Sequence, residues 1–267
     1  MEKIIFEVKD VEYEYPGGIK ALSGINMRIN KSERIVIMGA NGSGKTTLLA
    51  MLNGLIFPSQ GTITAFGNKL TEVTLNNVEF ARNFRQKIGF VFQNPEIQLF
   101  CPTVREDIAF SPLNFGIETE EVMKMVEKIA VDMEITNILD RPPHRLSIGE
   151  KKKVAIATAL VMNPEVIIMD EPTGGLDPIT TRHIINVLIK AGKDGKTIIT
   201  ATHDIHIVEE IADIVYILGK DKKIVTSGTP EEIFRNEEML RNNNLIHIHK
   251  HMHGNMLHLH SHIHPVN

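Results

Sequence analysis

Eight consecutive residues, Gly39-Ala40-Asn41-Gly42-Ser43-Gly44-Lys45-Thr46, match the pattern G-x-x-x-x-G-K-[ST] in full. Such a run can hold a polyphosphate. Its glycines let the backbone wrap closely, so that successive N–H groups converge on phosphate oxygens. A helix opening at the end of the run adds partial positive charge. Lys45 would reach the β- and γ-phosphates and Thr46 would ligate Mg²⁺. Gly39, Asn41, Gly42, Ser43, Gly44 and Thr47 complete the expected nucleotide-binding set. A second group, Val166-Ile167-Ile168-Met169-Asp170-Glu171, ends an apolar run in two carboxylates. Asp170 is expected to hold magnesium through water, and Glu171 to polarise the attacking water as general base. Together the two groups imply a nucleoside triphosphatase.

The surrounding sequence supplies elements that could position both groups. Arg34–Met38 is a β-branched run without polar alternation, which predicts a strand covered on both faces just before the glycine loop. Thr46–Leu55 has helical spacing after it. Ile4–Tyr15 and Ile25–Ile29 read as strands around a Pro16-Gly17-Gly18 turn, and Thr62–Phe66 and Lys87–Phe92 as further strands. Val104–Phe110 and Glu118–Met133 carry the helix period, the latter through Val122, Met125, Val126, Ile129 and Met133. Strands at Val166–Met169 and Thr197–Ala201 then alternate with helices at Lys151–Met162, Ile179–Lys190 and Ile205–Ala212. Ile214–Leu218 and Lys223–Thr226 read as a hairpin. The pattern predicts an α/β fold: a P-loop NTPase core with a parallel sheet, an N-terminal antiparallel β region and a helical subdomain at about 95–155. Residues 1–235 form the expected nucleotide-binding domain, and 236–267 a C-terminal helix and histidine-rich tail.

Further residues fall in a suggestive order. Gln93 closes a strand, Leu146-Ser147-Ile148-Gly149-Glu150 precedes the acids, Asp177 follows them, and Thr202-His203-Asp204 ends the next strand. This order resembles the ATP-binding-cassette family over nearly all of residues 3–235. The resemblance implies Gln93 as the loop glutamine that senses magnesium and water. It implies Ser147, Gly149 and Glu150 as the signature acting on a nucleotide held by a second subunit. Asp177 would lie in the loop at the dimer interface, His203 would be the switch histidine on the γ-phosphate, and Tyr15 would stack on adenine. The signature departs from the usual Leu-Ser-Gly-Gly-Gln, with Ile148 in place of the first glycine and Glu150 in place of glutamine. A β-branched residue at 148 restricts close backbone approach to the nucleotide.

The stretch Phe92–Phe110 resembles more narrowly the ATPases of energy-coupling-factor importers, especially those for cobalt and nickel. The resemblance implies a homodimer or heterodimer of cassettes on the cytoplasmic face of the cell membrane. A transmembrane energy-coupling subunit and a substrate-binding membrane subunit would be its partners. A short helix of the transmembrane subunit would enter a groove at Leu99, Phe100 and Val104.

Eight of the 12 histidines lie in the last 21 residues. His247, His249, His251 and His253 alternate, and so do His258, His260, His262 and His264. In an extended segment alternate residues share one face. Neutral imidazoles suit Ni²⁺, Co²⁺ or Zn²⁺, and Cu²⁺ would bind more tightly still. An engineered tag and a weakly binding tail without biological role remain alternatives.

Composition narrows the remaining classes. Lys+Arg number 29 against Asp+Glu 33, a formal charge of −4 that lacks the basic excess of a nucleic-acid binder. The longest apolar run, Val154–Met162, is about half the ~18 residues that span a bilayer. Acids inside MEKIIFEVKD argue against a secretory signal. One cysteine, Cys101, cannot form an intramolecular disulfide and suits a reducing cytosol. Competing readings are a vitamin-type importer ATPase, a soluble non-transport cassette ATPase, and a metal-storage protein.

Overall fold

The computed structural model describes residues 3–253 and 256–262, with side chains described for residues 3–246. The chain forms two compact units, residues 1–70 with 201–267, and residues 71–200.

The first unit begins with β1 (Ile4–Tyr15), β2 (Ile19–Asn30), β3 (Arg34–Met38), α1 (Lys45–Leu52), β4 (Gln60–Ala65) and β5 (Asn68–Lys69). Four of these strands form an antiparallel sheet in the order β2-β1-β4-β5. Alternation buries Phe6 and Val8, and a bulge at Lys9–Asp10 adds one residue so that Val11 returns to the same face. Asp10 sits there at φ +48°, held by reciprocal hydrogen bonds with Asn26. β2 starts six residues before the expected Ile25, because pairing with the end of β1 carries it back to Ile19 opposite Tyr15.

β3 is buried from Ile35 to Met38, as its unbroken apolar run requires. After α8 (Ile205–Ile211) come β9 (Ile214–Leu218), parallel to β3, and β10 (Ile224–Gly228), antiparallel to β9. Arg34 fixes the β3/β9 register by gripping Asp213, which its backbone N–H also meets at 2.9 Å. Two short helices follow, α9 (Pro230–Phe234) and α10 (Glu237–Asn242). The tail backbone then forms β11 (His247–His253) and β12 (Met256–His262). Their antiparallel register sets His247 opposite His262, His249 opposite His260 and His251 opposite His258. His264 lies outside the described residues.

The second unit contains α2 (Glu72–Asn76), α3 (Val78–Lys87), β6 (Ile88–Val91), α4 (Val104–Asn114), α5 (Thr119–Asp132), α6 (Ile148–Leu160), β7 (Val166–Asp170), α7 (Pro178–Lys193) and most of β8 (Thr197–Thr202). β6 and β7 pair in parallel, with Val91 level with Met169. Their C-terminal ends therefore emerge side by side, the end of an α/β sheet where ligands bind. Helices α4, α5 and α6 bury Val104, Ile108, Val122, Val126, Val154 and Ala155. α4 runs past the expected Phe110 to Asn114 although Pro112 removes one N–H from its last turns, and the Phe115 and Ile117 N–H groups bond back to the Ser111 and Pro112 carbonyls. Residues 71–87 fold into α2 and α3, which the expected elements did not include; only Ala81 and Phe84 are buried there, on one face of α3. No described helix is long and apolar enough to cross a membrane.

Candidate nucleotide site

In the first unit the glycine loop leaves β3 and opens α1, as its motif requires. Gly44 has φ +113°, and a Cβ there would lie 2.4 Å from the Ala21 carbonyl, so no other residue fits. Lys45 is buried and lies across the loop, donating to the Gly39 carbonyl at 2.8 Å. Gly42 and its neighbours fold around Ser43, whose buried Oγ has no hydrogen-bond partner among the described residues. Asn41 is exposed, Thr46 is exposed and Thr47 is buried.

Tyr15 ends β1 with its ring 40% exposed and stacked edge-on against Tyr13 at 5.0 Å. Its hydroxyl hydrogen-bonds Thr47 Oγ1 at 3.0 Å. The structure thus brings the expected adenine platform and the phosphate loop together. Lys222, which the sequence reading passed over, donates to the Gly42 carbonyl. Nothing local marks it: it is one lysine of a turn, placed by the β9–β10 connection. His203 is half-buried between β8 and α8. Its flanks are pinned, since Asp204 N–H donates to Thr202 Oγ1 at 3.1 Å and the Asp204 carboxylate caps α8 through His206 N–H.

In the second unit Asp170 ends β7, 2% exposed, and Glu171 follows, buried, at φ +44°. A bulky residue in the left-handed region stores strain, a frequent mark of functional positions. Gln93 is exposed just beyond β6. Its loop is fastened to α6 by Gln98, which donates to the Ala155 carbonyl and Thr158 Oγ1, and by the ion pair of Lys151 with Glu96.

Ser147 is the N-cap of α6. Its Oγ accepts from Glu150 N–H while the Glu150 carboxylate accepts from Ser147 N–H at 2.8 Å, a capping box. That bond to Ser147 holds the Glu150 carboxyl below its usual range. Capping uses a lone pair of the hydroxyl and leaves its proton for another acceptor. Asp177 caps α7, accepting from Ile179 and Thr180 N–H at 3.0 Å and from Thr180 Oγ1 at 2.6 Å. The Thr180 hydroxyl holds the Asp177 carboxyl low. Ser147, Gly149, Glu150 and Asp177 share the lining of one cavity of about 480 Å³. Lys153 supplies a cation to that lining and pairs with Glu134 at 3.2 Å. Ile148 stands 64% exposed at the first helical position and lines the same cavity. A larger cavity of about 560 Å³ among Met125, Ile129, Met133, Val161 and Val187 contains none of the expected site residues.

A family model described as ABC transporter matches residues 22–174. The energy-coupling factor transporter ATP-binding protein EcfA of Methanothermobacter thermautotrophicus is 42% identical over 90% of this chain and 76% of its own. The nickel import ATP-binding protein NikO of Rhodobacter capsulatus is 41% identical over 90% of this chain and 95% of its own. Among solved structures, cbiO1 from Clostridium perfringens, described as part of the ABC transporter complex cbiONQ, superposes with TM-score 0.76 at 39% identity. That match covers 91% of this chain and 96% of cbiO1. The chain belongs to the ABC transporter family and has its P-loop NTPase fold. It is an ATP-binding ATPase of that family.

Proposed function

We propose that this chain is the ATP-hydrolysing subunit of an energy-coupling-factor importer for nickel or cobalt, working at the cytoplasmic face of the membrane. The observation that carries the membrane partner is an apolar patch beside the Gln93 loop. Of the expected groove residues Leu99 and Val104 are buried in the core and only Phe100 is exposed; it meets Phe110 edge to face at 4.8 Å, the two 63% and 47% exposed, and Ile97 on the same loop is exposed as well. Such a patch suits the apolar face of a helix from a transmembrane subunit. The metal reading is supported by the likeness to the nickel import protein and to cbiO1.

In this reading residues 1–235 are the cassette, about 95–155 its helical subdomain, and 236–267 an appended helix and tail. Tyr15 stacks on adenine. The N–H groups of Gly39–Thr46 and the Lys45 ammonium hold the phosphates. The oxygen donors Thr46, Gln93 and Asp170 are the hard ligands that Mg²⁺ prefers. That ion supplies charge neutralisation on the phosphates when bound. Glu171 accepts the proton of the water attacking the γ-phosphorus, and His203 donates to the γ-phosphate. Ser147, Gly149 and Glu150 of a second cassette, identical or related, close over the same nucleotide, with Asp177 at the dimer loop. ATP binding thus draws two cassettes together, hydrolysis parts them, and the movement drives the membrane subunits.

The tail, through His247, His249, His251, His253, His258, His260, His262 and His264, binds Ni²⁺, Co²⁺ or Zn²⁺ in this reading. Truncation after Asn244 then removes metal from the purified protein by elemental analysis and leaves ATPase activity intact. Uptake of nickel or cobalt by cells whose only copy carries Glu171→Gln collapses while the complex still assembles. Undiminished uptake overturns the proposal. Uptake of a vitamin instead, uncompeted by metal, selects the vitamin-type importer.

A further inference from the structure

One buried cation has no place in that mechanism. Lys152 lies one turn into α6, 2% exposed. Its ammonium donates to the Gln93 carbonyl at 2.7 Å, the Phe92 carbonyl at 3.3 Å and the Glu171 carbonyl at 3.4 Å. An ammonium carries three N–H donors, and here all three have backbone acceptors. These acceptors come from the two places the proposed chemistry needs in register: the loop that carries Gln93 and the residue that carries the general base.

The Glu171 end is the more demanding. At φ +44° its backbone is strained, and it persists only if its surroundings fix it. Two donors hold its carbonyl, Gly174 N–H at 3.3 Å and Lys152 Nζ. The Asp170 and Glu171 carboxylates attract the ammonium, while burial opposes its charge and lowers its pKa to about 8. A lysine kept in so costly a place, its hydrogen bonds among the described residues all to main chain, acts on backbone geometry.

We propose that Lys152 is a positioning residue for hydrolysis: it ties the Gln93 loop and the left-handed Glu171 backbone to the helix whose first turn is the Ser147 signature. The inference rests on Glu171 being the general base. Lys152 touches neither nucleotide nor water in this scheme. Its loss should slow turnover and leave nucleotide affinity alone.

The test uses the full chain in its assembled transporter, with ATPase rate measured against MgATP concentration. Lys152→Met keeps the length and apolar stem but none of the donors. Its expected kcat falls about tenfold or more, with KM within about twofold of the parent. Lys152→Gln keeps two N–H donors without charge and recovers an intermediate kcat. A kcat for Lys152→Met within about twofold of the parent overturns the proposal. So does a rise in KM matching the fall in kcat, which marks a binding role. If Lys152→Met fails to fold by circular dichroism, Lys152→Gln decides alone: reduced kcat at unchanged KM supports the proposal, and parental kcat overturns it. Glu171→Gln measured alongside separates the two failures. If it retains parental turnover, the general-base reading falls; if it is inactive while Lys152→Met is not, only the role of Lys152 falls.

Discussion

The glycine loop of the first unit and the carboxylate end of the second do related work by different means. The loop is mostly local: Gly39 to Thr46 are contiguous, its turns come from its own glycines, and Lys45 bonds back to the Gly39 carbonyl, with Lys222 adding a remote tie at the Gly42 carbonyl. The carboxylate end is assembled from distant parts of its unit. Glu171 follows β7, its carbonyl is held from α6, and Gln93 arrives from β6 on a loop clamped to that same helix. A site half made of neighbouring residues is fixed by local conformation. One made of remote residues is fixed by packing and buried hydrogen bonds, and fails when any single tie is cut.

The largest break should come at the carboxylate end. Glu171→Gln is expected to lower kcat by about 10²–10⁴-fold, the range for loss of a general base, in a steady-state ATPase assay. In the loop, Gly44→Ala forces a Cβ onto the Ala21 carbonyl at φ +113°. Strain of about 1–3 kcal/mol is expected, seen as a lower denaturation midpoint together with loss of ATP binding. Equal stability of this variant and the parent would show that the loop yields more easily than its contacts imply.

Titration sharpens the contrast. Between pH 8 and Lys152's ordinary value near 10.5 the unfolded chain carries the proton that the folded one has released. Stability from this group therefore rises with pH through that window, at most about 1.4 kcal/mol per pH unit. The parent should gain stability relative to Lys152→Met between pH 8 and 10 in urea denaturation. A constant difference would mean that the folded lysine keeps its proton through that window. The smallest effect expected is at the helix caps. Ser147→Ala and Thr103→Ala each remove a capping box and should each cost about 1 kcal/mol. Only Ser147→Ala should also lower ATPase activity, because Thr103 has no part in the proposed nucleotide site.

What could be read from sequence follows the same division. The loop, β3 and the acids of β7 are contiguous patterns, and the strands and helices around them appeared near their expected bounds. α2 gave no pattern because none of its residues is buried, whereas α3 did carry helical spacing, Ala81, Phe84 and Ile88, in a run too short and charged to stand out. Lys222 and Lys152 were invisible for another reason. Each is a lysine among lysines, Lys220–Lys223 and Lys151–Lys153, and only the fold decides which one turns inward. Gln98, two bonds deep into α6, was likewise indistinguishable from a surface glutamine.

The clamp on residues 92–98 carries a mechanical consequence. Glu96 and Gln98 anchor the segment to α6 on either side of the protruding Ile97, through short, charged or doubly donated bonds. The segment and the helix should therefore move as one piece, so that a partner pressing on Ile97 would act on the element whose first turn begins at Ser147.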